Sequence, residues 1–165
     1  MAAVIPGRHT ARIPDEGVAV FLIGMRINRP LKVQSWYPVA TAMPKMLRHL
    51  MSHPDSGLLG VQSWFGRTTL RLSYWRTAED IRRFASDPEA PHAPAWREFN
   101  RKVAATGDVG IWHETYLVPA GSGEAIYGSM PRFGLAAATE HVPVGQGSQT
   151  WKQRMRDRPE QAAAR

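Results

Sequence analysis

Four stretches of the chain are rich in apolar residues and have the length of β-strands. They span residues 17–26, 58–65, 68–75 and 109–118. The first stretch is apolar at nearly every position, which is typical of a strand buried on both faces. Only Gly66 and Arg67 separate the second stretch from the third, and so short a connection predicts a hairpin.

A helical pattern follows the first strand. Apolar residues recur at three- and four-residue spacing as far as Met51, which predicts an amphipathic helix. Pro38 and Pro44 interrupt this stripe, so we expect a kink or two separate helical pieces.

A second helical region lies between the third and fourth strands. Thr77, with Asp80 three residues later, has the spacing of a capping-box variant and predicts the start of a helix. Pro88 ends it. A rigid connector follows, and a further helical stretch runs over Phe99 and stops near Gly107.

The element order β-α-β-β-α-β indicates an α+β, ferredoxin-like subunit with one antiparallel sheet. Because helices cover only one face of such a sheet, a second copy of the chain is expected on the other face, giving a dimeric α/β barrel. The expected organisation is an N-terminal arm (1–16), the ferredoxin-like domain (17–118), an extension that adds an edge strand or dimer arm (119–144), and a disordered basic tail that is dispensable for folding (145–165).

Composition narrows the class of protein. The chain has 165 residues, 43% of them hydrophobic and 21% charged, as expected of a soluble globular domain. It has no cysteine, which excludes disulfides and thiolate metal sites and suits a reducing cytoplasm. Neither a signal-peptide pattern nor a membrane-crossing apolar run is expected from its sequence. The net charge of +7 either attracts acidic ligands or serves solubility alone.

His113 and Glu114 stand side by side in the fourth strand, which is otherwise apolar at most positions. Alternation places the two residues on opposite faces of the sheet, and one of them should be enclosed. An enclosed histidine is either a hydrogen-bonded core residue or a functional one. We predict that His113 is catalytic, as a general base whose ordinary pKa suits proton transfer near neutrality. Glu114 is expected to pair with an arginine such as Arg71.

A second candidate histidine, His92, lies between Pro91 and Pro94, which fix its backbone path. It is predicted either to bind a haem iron as axial ligand, the only metal expected, or to cap the following helix. Several aromatic residues are predicted either to line a pocket for a small apolar ligand or to pack the core. They are Trp64, Tyr74, Trp96, Phe99, Trp112 and Tyr116.

Other function classes lack their motifs. The chain has no glycine-rich phosphate loop, no zinc-protease motif and no nucleophile elbow. RNA-recognition modules share the β-α-β-β-α-β order, but residues 67–74 do not carry their aromatic motif, so nucleic-acid binding ranks last.

Three segments together have a familiar pattern: FLIGMRIN at 21–28, YWRTAED at 74–80 continuing to HAPAWREFN at 92–100, and GDVGIWHETY at 107–116. They resemble the family of proteins similar to the fumagillin-pathway monooxygenase, within the dimeric α/β-barrel superfamily of antibiotic biosynthesis monooxygenases.

This resemblance implies a homodimer with a pocket between sheet and helices, and oxygenation of a small, largely apolar organic molecule. Some relatives work without a cofactor. Others, similar to aldoxime dehydratases, bind haem through a histidine in the helical region after the third strand. His92 is the only histidine of this chain in that region, which makes a haem protein the alternative hypothesis.

Overall fold

The computed structural model describes residues 2–87, 97, 99–101 and 104–155. The strands in this part of the chain are β1 (Ile5–Arg12), β2 (Val18–Ile27), β3 (Leu58–Trp64), β4 (Leu70–Trp75), β5 (Val109–Val118), β6 (Tyr127–Met130) and β7 (Glu140–Pro143). The helices are α1 (Val33–Met51), α2 (Ala78–Ser86), α3 (Gly134–Ala138) and α4 (Trp151–Arg154), with short 3-10 turns at Pro54–Ser56 and Ala104–Thr106. None of these helices has the length and apolar character needed to span a bilayer.

The main sheet has the strand order β3-β4-β2-β5, and every neighbouring pair is antiparallel. This order confirms the predicted ferredoxin-like fold. β2 pairs with β5 over its whole length, from Val18 opposite Val118 to Ile27 opposite Val109. The predicted strands agree with the observed ones to within two residues at each end.

One face of this sheet, which we call the helix face, carries the core. Ala19 and Trp75 pack with Leu50 of α1 and Ile81 of α2 in one cluster. Met25, Val109 and Phe99 form a second cluster. Burial of the apolar stripe of α1 on the sheet is the main source of stability for such a helix.

α1 is a single continuous helix that contains Pro38 and Pro44. Of the two expected outcomes, the division into two helical pieces is therefore wrong, and a kink stays a prediction. Each proline removes only one backbone donor. The Thr41 hydroxyl also donates to the Tyr37 carbonyl oxygen at 3.0 Å. Packing of Val39 and Leu50 on the sheet offsets the lost hydrogen bonds.

The predicted start of α2 is confirmed. The Thr77 side-chain oxygen accepts a hydrogen bond from the Asp80 backbone N–H at 3.0 Å, so it caps the helix.

The N-terminal arm and the C-terminal extension form a second sheet, with the order β6-β1-β7. β1 lies in the middle and pairs antiparallel with both neighbours. The strand IPGRHTAR is mostly polar, so it lacks the alternation of apolar and polar residues that would predict a strand. Residues 145–155 also carry more structure than their polar composition predicts, because Thr150 and Gln153 form a capping box at the start of α4.

The other face of the main sheet, the open face, is covered in part by the chain itself. A Cβ on Gly60 would lie 3.0 Å from the Cβ of Ala138 in α3. The ring of Trp64 lies 6.2 Å from that of Phe133, just before α3. α3 therefore covers the β3 side, where a second subunit alone was expected.

Asp108, just before β5, connects this strand to α1 and to the segment between β2 and α1. Its carboxylate accepts a hydrogen bond from Ser35 at 2.9 Å and forms ion pairs with Arg29 at 3.2 Å and Lys32 at 3.4 Å. The side chain is 3% exposed. Burial by itself raises the pKa of Asp108, but the Ser35 hydrogen bond and the two cations outweigh it and hold this pKa below its usual value.

We expect Asp108→Asn to lower the melting temperature by roughly 5 °C at pH 7. Because the folded-state pKa is lowered, the carboxylate stabilises the fold above the unfolded-state pKa, and this contribution is lost as the pH falls below about 4. Urea unfolding at pH 7, 5, 4 and 3 measures the difference, with the exposed Asp15→Asn as control. If the difference in unfolding free energy between the wild type and Asp108→Asn stayed constant down to pH 3, it would contradict the lowered pKa of Asp108.

Candidate functional site

A small apolar cavity lies between α1 and the helix face of the main sheet. Its volume is about 100 Å³, less than the engineered cavity of roughly 150 Å³ that admits benzene, so a larger ligand would have to extend beyond it. The lining includes Ile23, Met25, Val39, Met43, Arg71 and Ile111. One end reaches the surface at Phe65, whose side chain is 82% exposed.

Arg71 brings a charge into this apolar lining. β4 places it opposite Ser63 of β3, and its Nε donates to the Ser63 hydroxyl at 3.0 Å. One Nη donates to the Met43 carbonyl oxygen in α1 at 3.2 Å. The side chain is half-buried, and burial lowers the pKa of Arg71 from its ordinary value.

Glu114 does not pair with Arg71, so that expectation is wrong. Register places Arg71 opposite Ile23 on the helix face, whereas Glu114 lies opposite Leu22 on the open face. The Tyr116 hydroxyl donates to the Glu114 carboxylate at 2.7 Å. Acceptance of this hydrogen bond by Glu114 raises the pKa of Tyr116.

His113 lies on the helix face, in one row with the cavity residues. Its register partner on β2 is Ile23, whose partner on β4 is Arg71. The His113 ring is 5.8 Å from the Phe21 ring. The side chain is exposed rather than enclosed as expected, because β5 is the outer strand of the sheet. The sheet therefore places an arginine in the cavity lining and a histidine on the same face two strands away, outside that lining.

The six aromatic residues predicted to line one pocket are divided among several places. Trp64 borders the cavity, although register places it on the open face, where its ring meets that of Phe133. Phe99 is buried against Met25 and Val109, next to the cavity. Register places the other described members of the set on the open face; they are Tyr74, Trp112 and Tyr116.

Trp96 and His92 lie outside the described residues. Among the residues that are described, no group of three histidine, cysteine or acidic side chains could hold a metal ion. The cavity is also far smaller than a porphyrin, so a haem does not fit there, and axial ligation by His92 stays a prediction.

The cavity residue that sequence reasoning missed as a site residue is Arg71. Polar residues alternate with apolar ones along RLSYW, and register alone reveals that Arg71 and Ser73 share the helix face. A charged residue within a predicted buried strand is the signal that could have identified it.

Comparison with known proteins agrees with this fold. A family model described as Monooxygenase af470-like matches residues 18–135. Monooxygenase af470 of Aspergillus fumigatus is 33% identical over 147 residues, which cover 77% of this chain and 52% of that protein. The chain thus spans about half the length of this curated relative.

Two solved structures share the fold. An aldoxime dehydratase in complex with butyraldoxime has a TM-score of 0.63 at 15% identity, over 79% of this chain and 39% of that one. A second aldoxime dehydratase also has a TM-score of 0.63, at 16% identity, over 81% and 43% of the two chains. At this identity the likeness concerns architecture only. The family match over residues 18–135 covers all three strands of the Arg71–Ile23–His113 row, and the chain belongs to the Monooxygenase af470-like family.

Proposed function

We propose that the chain is a monooxygenase-like oxidoreductase, and that the cavity beneath α1 takes a small, largely apolar organic substrate. The observation that carries this proposal is the row Arg71–Ile23–His113 on the helix face. It sets a proton acceptor on the sheet face that also carries the apolar cavity. Family membership supports the reaction class.

The physical roles follow from these positions. The apolar walls formed by Ile23, Met25 and Ile111 favour a substrate without exposed polar groups along most of its length. His113 lies on β5, one strand beyond Ile23, and its role would be to accept a proton from a substrate that extends along this row and to pass that proton to water.

We expect His113→Ala to lower turnover by about 10²- to 10⁴-fold, with a change of no more than about 0.5 kcal/mol in unfolding free energy because the side chain is exposed. Oxygen uptake by the purified chain, measured against a panel of small apolar phenols and ketones, tests this. His53→Ala, an exposed histidine outside the main sheet, is the matched control. Equal oxygen uptake by the His113→Ala variant and the wild type would overturn the proposal.

We also propose that a second copy of the chain covers the part of the open face that α3 leaves free. Leu22 and Leu72 lie side by side there and are half-buried, while Tyr116 is 52% exposed. Packing two such faces together buries the remaining apolar surface of both copies.

Light scattering at micromolar concentration should therefore give the mass of a dimer, and Leu22→Arg should shift it to the mass of a monomer. Leu117→Arg, which adds the same charge on the helix face, should leave the dimer intact. A monomeric wild type would contradict the barrel arrangement.

A further inference from the structure

Arg71 is the one charged residue among the described residues that line the cavity. The rest of the lining is apolar apart from Ser63 and Thr69. A guanidinium placed against so apolar a surface loses part of its hydration, which is unfavourable unless an anion or several acceptors compensate it.

Within the described part of the chain, the hydration that the Arg71 guanidinium loses is only partly replaced by other interactions. Ion pairs link six other described arginines to carboxylates, and Arg71 is not among them. Its described acceptors are a hydroxyl oxygen and a carbonyl oxygen, both neutral. The second Nη has no described acceptor. Burial lowers the pKa of Arg71, as expected for a cation that lacks a counter-ion.

A purely structural role would not require this charge. The link that Arg71 makes between Ser63 in β3 and Met43 in α1 needs two N–H donors, which a neutral amide side chain also supplies. A planar guanidinium with a free edge instead matches a carboxylate, which it binds through two parallel hydrogen bonds.

We propose that the cavity binds an apolar monocarboxylate whose carboxylate is held by Arg71. This inference rests on the proposed function only in placing the substrate in the cavity. Arg71 thereby determines both the substrate class and its orientation.

The sheet geometry also sets the substrate's length. Arg71, Ile23 and His113 occupy adjacent strands, and neighbouring strands lie about 4.8 Å apart, so the backbones of Arg71 and His113 are about 10 Å apart along the row. A carboxylate held at Arg71 directs the apolar remainder past Ile23 towards His113. The carbon that loses its proton is then several bonds away from the carboxylate.

Calorimetric titration with hexanoate and with 1-hexanol tests the proposal, because the two probes differ mainly in charge. We expect the wild type to bind hexanoate about 10- to 100-fold more tightly than 1-hexanol, as charge-assisted hydrogen bonds imply. Arg71→Gln should remove this preference while leaving 1-hexanol affinity unchanged, and Arg71→Lys should retain part of it. Arg26→Gln, in the same sheet but outside the cavity lining, removes the same charge and should change neither affinity.

Thermal melting of each variant confirms that it is folded, and Arg71→Lys keeps the test valid if Arg71→Gln does not fold. Equal affinity for the two probes, a preference that survives in Arg71→Gln, or no binding of hexanoate at millimolar concentration would overturn the proposal. Failure of the proposed function has a different signature. In that case the carboxylate preference depends on Arg71, but no oxygen uptake accompanies binding of any acid.

Discussion

Gly24→Ala is expected to destabilise the domain by at least about 3 kcal/mol, at the upper end of the cost of overpacking a core. A Cβ at Gly24 in β2 would lie 2.0 Å from the Thr69 carbonyl oxygen and 2.7 Å from Trp112 Nε1. The tryptophan ring can move, but the carbonyl is backbone. It is fixed because the Thr69 N–H donates to the Met25 carbonyl oxygen at 2.8 Å, and the Met25 N–H donates to the Thr69 hydroxyl at 3.0 Å.

Urea unfolding of the purified variant measures this loss, and Gly110→Ala is the matched control. Gly110 lies in β5 of the same sheet, and its nearest neighbours to an added Cβ are 3.9 Å away. Its replacement should change the unfolding free energy by less than about 1 kcal/mol, in either direction. Equal stability of the two variants would contradict this prediction, because it would show that the backbone at Thr69 moves readily to accommodate an added Cβ.

The sequence predicts the main sheet well because strand burial and strand order are local signals. The apolar run at 109–118 predicts β5 at its observed bounds, Val109–Val118. Thr77 marks the start of α2 through a hydrogen bond to a residue three positions away. Such patterns depend on neighbours in the chain, and the ferredoxin-like order then limits how the strands pair.

The second sheet escapes prediction because its pairing is long-range. β1 is mostly polar, and apolar and polar residues do not alternate regularly along it. It becomes a strand because β6 and β7, more than 100 residues later in the chain, supply its hydrogen-bond partners. The residue pattern of β1 itself does not predict that it pairs with these two strands.

The candidate site is predicted only in part, for a similar reason. Alternation correctly separates His113 from Glu114, but it does not say which face meets the helices. Cross-strand register settles this point, since His113 lies opposite Ile23 and shares its face with Arg71. Exposure of His113 depends on strand order, because an outer strand is less covered than a central one.

The C-terminal segment shows how one buried contact changes an expectation drawn from composition. The tail from residue 145 has the polar, glycine-containing composition of a dispensable segment. In the structure, Arg154 of α4 is 8% exposed and pairs with Glu124, which is 16% exposed. The Arg154 Nε–Glu124 oxygen distance is 2.6 Å. Arg154 also donates to the Ser148 carbonyl oxygen at 3.0 Å, so one side chain fastens the segment at several points.

We expect Arg154→Ala to destabilise the chain by about 3–5 kcal/mol, because it leaves the Glu124 carboxylate buried without its cation. The double variant Arg154→Ala/Glu124→Ala should recover part of this loss, since it removes both charges. Arg12→Ala is the control: Arg12 pairs with Glu140 at 3.1 Å, but the two side chains are 63% and 56% exposed, and such surface pairs contribute at most about 1 kcal/mol. Urea unfolding of the three variants gives the comparison. A loss for Arg154→Ala no larger than that for Arg12→Ala would restore the view that the segment from residue 145 is dispensable.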